Sequence, residues 1–165
     1  MYVVKIQNGD IQTTIHGKTE KLKKGNVVKG INSIDSFSFS MYTSNKGFNL
    51  IHDRKTTLSV YNTHKKRYEF YGRVLYADDT MEADGMITKE VTCESFLGYL
   101  YDSIQDYVKE KNWTVTEFFT HIINVHNSKV EESKHFAVGE ITVTDQNDNL
   151  YLGIQRETTW KTLQD

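Results

Sequence analysis

Residues 61–75 read YNTHKKRYEFYGRVL, and this stretch decides the fold. Thr63, His64, Lys65 and Lys66 form a polar turn between two extended runs. Side chains alternate along an extended chain. The second run therefore places Tyr68, Phe70, Gly72 and Val74 on one face and Glu69, Tyr71, Arg73 and Leu75 on the other. Large groups occupy both faces, which predicts a hairpin held between two packed surfaces.

Working outward toward the N-terminus, residues 57–61 (TLSVY) and 48–52 (FNLIH) read as further strands, separated by the polar Asp53-Arg54-Lys55. Ahead of them, IDSFSFSM (34–41) carries the clearest period-two signal. Phe37, Phe39 and Met41 alternate with Ser36, Ser38 and Ser40, so one face is core and the other is small and polar. Residues 2–6 and 11–15 flank Asn8-Gly9-Asp10, a hairpin turn in composition. Lys21, Lys23 and Lys24 make a small basic cluster, read as a solvated loop or a lysine-protected edge strand rather than a phosphate site.

On the C-terminal side, residues 77–85 are acidic (Asp78, Asp79, Glu82, Asp84) and read as a solvated turn. Residues 88–94 follow as a strand with Val91 and Cys93 on one face. At Ser95 the period changes. Phe96, Leu97, Leu100, Ile104, Tyr107 and Val108 fit a helical stripe interrupted by Gly98. A second helix has defined ends. Thr114 and Glu117 have capping-box spacing, Trp113 and Phe118 suit a hydrophobic staple, and Asn127 is the expected stop. Its stripe is Phe118, Phe119, Ile122, Ile123 and His126. Residues 136–143 and 150–154 then read as a hairpin turning at Asp145–Asn149. Thr158 or Thr159 caps a last helix that the chain leaves short, so either an N-terminal piece of a longer protein or a frayed end is expected. Together these elements predict an α+β fold with a β-rich domain over 1–94 and a mixed α/β segment over 95–165.

The 165 residues suit one domain or a domain with an appendage. There is no proline, against about 5% in average usage, which favours long regular strands. A net charge of −2 lacks the basic excess of a nucleic-acid binder. One cysteine excludes an internal disulfide and a multi-cysteine zinc site. MYVVKIQNGD does not read as a signal peptide, so a cytosol-like compartment or a leaderless exit is expected. No stretch approaches the roughly 20 apolar residues of a membrane span.

Catalytic, metal and cofactor sites find little support. Cys93 sits where a small buried hydrophobe is expected. His121 and His126 are five apart, off the spacing of four that metalloprotease ligands need. The acidic run ending at Gly85 lacks the alternating ligands of a calcium loop. No phosphate-binding glycine motif or nucleophile elbow is present. The expected sets of catalytic, cofactor-binding and metal residues are all empty.

The succession YNTHKKRYEFYGRVL, MEADGMITKEVTCESFLGYLYDS, WTVTEFFTHIINVHNSKV, HFAVGEITVTDQNDNLY and ETTWKTL resembles the N-terminal region of siphophage and prophage tail-tip proteins. These are the minor structural, tail-associated lysin or prophage tail endopeptidase family. The resemblance implies similarity to the baseplate hub protein of contractile phages, with a tube-forming, barrel- or sandwich-like β domain and a helix-containing α/β insertion. It implies a homotrimer whose pseudo-sixfold ring closes the tail tube. Its partners would be the distal tail protein ring, the tail tube and the tape-measure protein, with DNA only as passing cargo. It also implies a place at the virion tail tip after synthesis in the bacterial cytoplasm, and a lysin or peptidase activity downstream of residue 165. Two other readings are a peptidoglycan hydrolase, which would lean on Cys93 or His126, and a carbohydrate-binding module using Tyr68, Tyr71 or Tyr76.

Overall fold

The computed structural model describes residues 1–110, 113–142, 152–154 and 156–164. They form two compact units, Met1–Phe96 and Leu97–Asp165. The fold is α+β and dominated by β-structure.

The first unit is a seven-stranded antiparallel sheet. Its strands are β1 (Tyr2–Asn8), β2 (Ile11–His16), β3 (Lys24–Val28), β4 (Ser36–Tyr42), β5 (Thr57–Asn62), β6 (Arg67–Met81) and β7 (Ile87–Ser95), in the order β2-β1-β5-β6-β7-β4-β3. The alternation of 34–41 is realised through Phe37, Ser38 and Phe39, but Ser40 is buried along with Met41. Phe37, Phe39 and Met41 are buried, and they join Val4, Ile6, Leu58, Val60, Phe70, Val74, Val91 and Cys93 in one core. Each such side chain contributes about 1.5–3 kcal/mol by leaving water. The sheet curls around this core: Lys29, just past β3, reaches Glu69 on β6, although β4 and β7 lie between those strands in the sheet.

The hairpin at 61–75 forms, with two corrections. Val60 pairs with Phe70 but Tyr61 with Tyr68, so Glu69 is the extra residue of a bulge. That bulge turns Tyr68 away from Phe70 and onto the face of Tyr61 and Tyr71, with ring centroids 5.0 and 5.5 Å away. In addition, β6 runs on to Met81, through most of the expected acidic turn. Tyr76–Met81 gain a full ladder from β7, and Lys89 neutralises Asp79 at 2.6 Å. These gains outweigh the poor strand propensity of aspartate. The turn itself is confined to residues 82–86, where Gly85 takes φ +82°.

The expected strand at 48–52 is instead a 3-10 turn, Phe48–Leu50. Asn45 explains the difference. Its side chain accepts from Gly47 N and donates to the carbonyls of Ile15 and Lys21, which closes the chain locally. Phe48 and Ile51 still reach the core.

In the second unit, α1 (Val115–Lys129) carries the expected capping box, with Glu117 N donating to Thr114 Oγ1 and Thr114 N to Glu117 Oε2. Trp113 packs on Phe118 at 6.1 Å, as a staple should. Ile122, Ile123 and His126 are buried, whereas Phe119 is exposed. The helix runs two residues past Asn127, because that side chain is used elsewhere.

The helical stripe expected over 96–108 does not form. A 3-10 turn covers Phe96–Tyr101, and a short strand, β8 (Val108–Glu110), follows. Ile104 and Tyr107 are exposed while the polar Ser103 and Gln105 are buried. Hydrogen bonding by those two residues overrides the apolar period. The strand expected over 136–143 is likewise absent from its described part. Asn127 bonds both backbone groups of Phe136, donating to its carbonyl at 2.8 Å and accepting from its N–H at 2.9 Å. Those groups are then unavailable for a ladder. β9 (Leu152–Ile154) pairs with β8 instead, and the expected turn at Asp145–Asn149 lies outside the described residues. A final helix, α2 (Thr159–Gln164), begins after Thr158, whose hydroxyl accepts from Lys161 N at 3.4 Å.

Gly72 is required at the centre of the sheet. A Cβ there would lie 2.0 Å from the Glu94 carbonyl oxygen and 2.9 Å from the Phe70 ring. Gly72→Ala is therefore expected to destabilise the chain by about 1–3 kcal/mol, the usual cost of overpacking. A denaturant melt unchanged by this substitution would contradict the packing described.

Candidate functional site

A groove of about 630 Å³ opens in the first unit beside the edge strand β3. Val4, Val27, Phe37 and Val60, on the inward face of their strands, supply its apolar wall together with Leu22 from the connection before β3. Its rim is charged. Glu69, projected by the bulge in β6, is held by Lys29 at 3.3 Å, Lys65 at 3.8 Å and Arg67 at 3.1 Å. The Arg67 hydrogen bond is the largest cause of a Glu69 carboxyl held below the usual range. Three cations on one carboxylate leave a local positive surplus. At the other end His16 accepts from Leu22 N at 3.1 Å, and burial lowers its pKa. Neither the bulge nor the curl of the sheet is readable from spacing, which is why the groove was not expected.

The basic cluster is spoken for. Lys21 donates to the Gly17 carbonyl at 2.6 Å, Lys23 pairs with Glu82, and Lys24 pairs with Glu90 at 3.4 Å. This agrees with an edge strand protected by lysines.

On the outward face of the sheet, Tyr61, Tyr68, Tyr71 and Phe96 form a row with centroid spacings of 5.0–5.5 Å. Tyr68 and Tyr71 are exposed, as is Tyr76. The two tyrosines meet at 71°, so the edge of one ring faces the other. A flat platform for a sugar ring would need them more nearly coplanar. Beside them Arg73, only 4% exposed, is bonded to Glu94 at 2.7 Å from Nη2. Sequence reading gave no sign of this pair, since its members meet across a ladder 21 residues apart.

Cys93 is fully buried, and burial pushes its thiol pKa far up. It has neither the exposure nor the thiolate character of a nucleophile.

His126 sits in a buried polar chain of the second unit. Its Nε2 donates to the Lys134 carbonyl at 3.1 Å, which leaves Nδ1 to accept from Ser103 at 2.7 Å. Ser103 in turn accepts from Thr159 at 2.6 Å, and Thr159 accepts from Gln105 Nε2 at 2.7 Å. Gln105 Nε2 also donates to the Ile122 carbonyl. A serine hydrogen-bonded to a histidine invites a nucleophilic reading. Ser103 is 2% exposed and His126, Gln105 and Thr159 are 0% exposed, which leaves no space for a substrate. The cluster is a polar core tying α1 to α2, and each lost bond would leave a buried group unsatisfied at a cost of about 1–3 kcal/mol. His121 does not join it; its ring packs on Trp113. Among the described residues no group of three or more His, Cys, Asp or Glu side chains is placed to hold a metal. Among the same residues no helix is long and apolar enough to cross a membrane.

Burial is the main cause lowering the His126 pKa below 6.5; the hydrogen bond to the Lys134 carbonyl and the charge of Asp102 oppose it, and the charges of His135 and Lys134 reinforce it. The unfolded chain therefore binds the proton more readily, so this contribution is complete above the unfolded value and is lost as pH falls below it. Thermal stability should drop as pH falls from about 7 toward 5, and His126→Gln should flatten part of that drop. His16 adds a slope of the same sign. A melting temperature that is constant or rises over this interval would contradict the assignment.

No family model and no curated protein sequence matches the chain. Among solved structures, the chain is similar to the crystal structure of the tail protein from Neisseria meningitidis MC58, with a TM-score of 0.57 and 14% identity. The match covers 98% of this chain and 43% of that one. The chain thus spans less than half of that tail protein, and what the two share is the fold.

Proposed function

We propose that the chain is a structural subunit of a phage or prophage tail, acting at the tail tip or baseplate hub. The observation that carries this reading is the likeness of fold, over 98% of the chain, to a tail protein. In the proposed role three copies form a ring that closes the tail tube, seated on the distal tail protein ring and the tube, with the tape-measure protein and DNA as passing contents. Any peptidase or lysin activity belongs to residues outside this chain, and its place is the virion tail.

The residues support a scaffold role. A fifteen-residue central strand and a sheet with one apolar and one mixed face suit a wall that packs on its own core and on neighbours. The buried state of Cys93 and of the Ser103–His126 pair weighs against a peptidoglycan hydrolase. The edge-on Tyr68–Tyr71 pair weighs against a sugar-binding platform.

Light scattering on the longest form of the chain should give a trimer mass, and the trimer should bind a distal tail protein ring. A protein that stays monomeric at high concentration and binds no tail component would overturn the proposal. So would wall digestion abolished by Cys93→Ala or His126→Ala.

A further inference from the structure

Two features of the first unit are only partly used within a single copy, where Glu82 of the second reaches Lys23 on the rim of the first. The first is the groove along β3. In the described sheet β3 is an edge strand, so one side of its five residues has no ladder partner. The groove beside it is apolar inside and carries the surplus of Lys29, Lys65 and Arg67 over Glu69 at one end. The second is the far end of the β6–β7 hairpin. Met81 is 75% exposed, and Met86 and Ile87 are each 47% exposed. Three large apolar side chains at one tip are more than isolated surface hydrophobes. They are set among acidic residues. Glu82 and Asp79 are paired within the chain, while Asp78 and Asp84 make no ion pair among the described residues.

The tip also offers backbone. β5 pairs only with Arg67–Arg73 of β6, so from Tyr76 onward that side of β6 has no strand beside it. One end of the unit is thus an apolar, acid-flanked strand edge. The groove is an apolar channel with a cationic mouth beside another strand edge. The two are complementary in polarity, in charge sign and in their unpaired backbone.

We infer that the β6–β7 tip of one copy docks in the β3 groove of the next. Met81 and Met86 enter the apolar channel, and Asp78 and Asp84 face Lys29 and Lys65. The occupant is a second copy of this chain because both halves of the contact are present on every copy. Such a contact is heterologous: it uses two different patches, so each copy gives a tip and receives one, which closes into a ring at a suitable rotation. This rests on the proposed ring assembly and assigns the surfaces that make it.

Lys65 lies just before β6 and Met86 at the end of the turn that follows it. They are separated by the fifteen residues of that strand, which span up to about 50 Å when fully extended and less in a curled sheet. A disulfide needs Cα atoms within about 7 Å, so cysteines at these two positions cannot join within one copy. The native Cys93 is buried and stays out of the exchange. The test uses the longest form of the chain carrying Lys65→Cys with Met86→Cys, mildly oxidised. A ladder of covalent dimers and trimers is expected from the double variant and from neither single one.

In parallel, Lys29→Glu with Lys65→Glu should raise the concentration needed for assembly by about tenfold. Adding Asp78→Lys with Asp84→Lys should restore it. Circular dichroism and melting like the parent chain establish that each variant folds. Assembly that persists without a ladder and without response to charge reversal overturns the docking and leaves the ring reading standing. A parent chain that never assembles overturns both.

Discussion

The structure depends on one staggered strand. β6 pairs with β5 through Arg67–Arg73 and with β7 through Gly72–Met81, so the two ladders overlap at Gly72 and Arg73, and Val74 adds backbone bonds to Arg54 and Thr56. At that crossing the backbones approach closely enough to exclude any Cβ at position 72. Next to it the one charged side chain of the sheet that is almost wholly buried, Arg73, bonds Glu94 on β7. A guanidinium in that position is costly to bury unless it is paired with good geometry. The bond therefore fixes the β6–β7 register as firmly as it stabilises it. On either side of the crossing a bulge resets the alternation, at Glu69 and at Leu75. Those two resets decide what each face of the sheet displays.

This explains which parts of the fold were legible in the sequence. Phe37, Phe39 and Met41 were readable because β4 has no bulge, although Ser40 between the last two is buried as well. The N-terminus of α1 was readable because capping depends on residues three apart on one turn. Tyr68 was placed on the wrong face because a bulge leaves no mark in a pattern of apolar residues. The stretch over 96–108 misled for a different reason. Its apolar spacing suits a helix, yet the buried side chains are Ser103 and Gln105, whose partners lie on α1 and α2. Asn127 is a third case: it was read as a helix stop and serves as a bracket for Phe136. In each case a contact distant in sequence outweighed a local preference.

The candidate site was less legible still. Its apolar wall draws on β1, β3, β4 and β5, and its charged mouth depends on the bulge that projects Glu69. The residues that chemical reasoning singled out, Cys93 and His126, prove to be interior, one in the apolar core and the other in a polar chain with every donor assigned. What remains at the surface is strand edge, apolar tip and charge. Those are the means by which chains join one another.

Electron microscopy of the longest form of the chain tests the proposed assembly most directly. Class averages should show closed rings of three copies with pseudo-sixfold outlines and an open channel. Uniform single particles of monomer size, at concentrations where phage tail proteins assemble, would contradict the account.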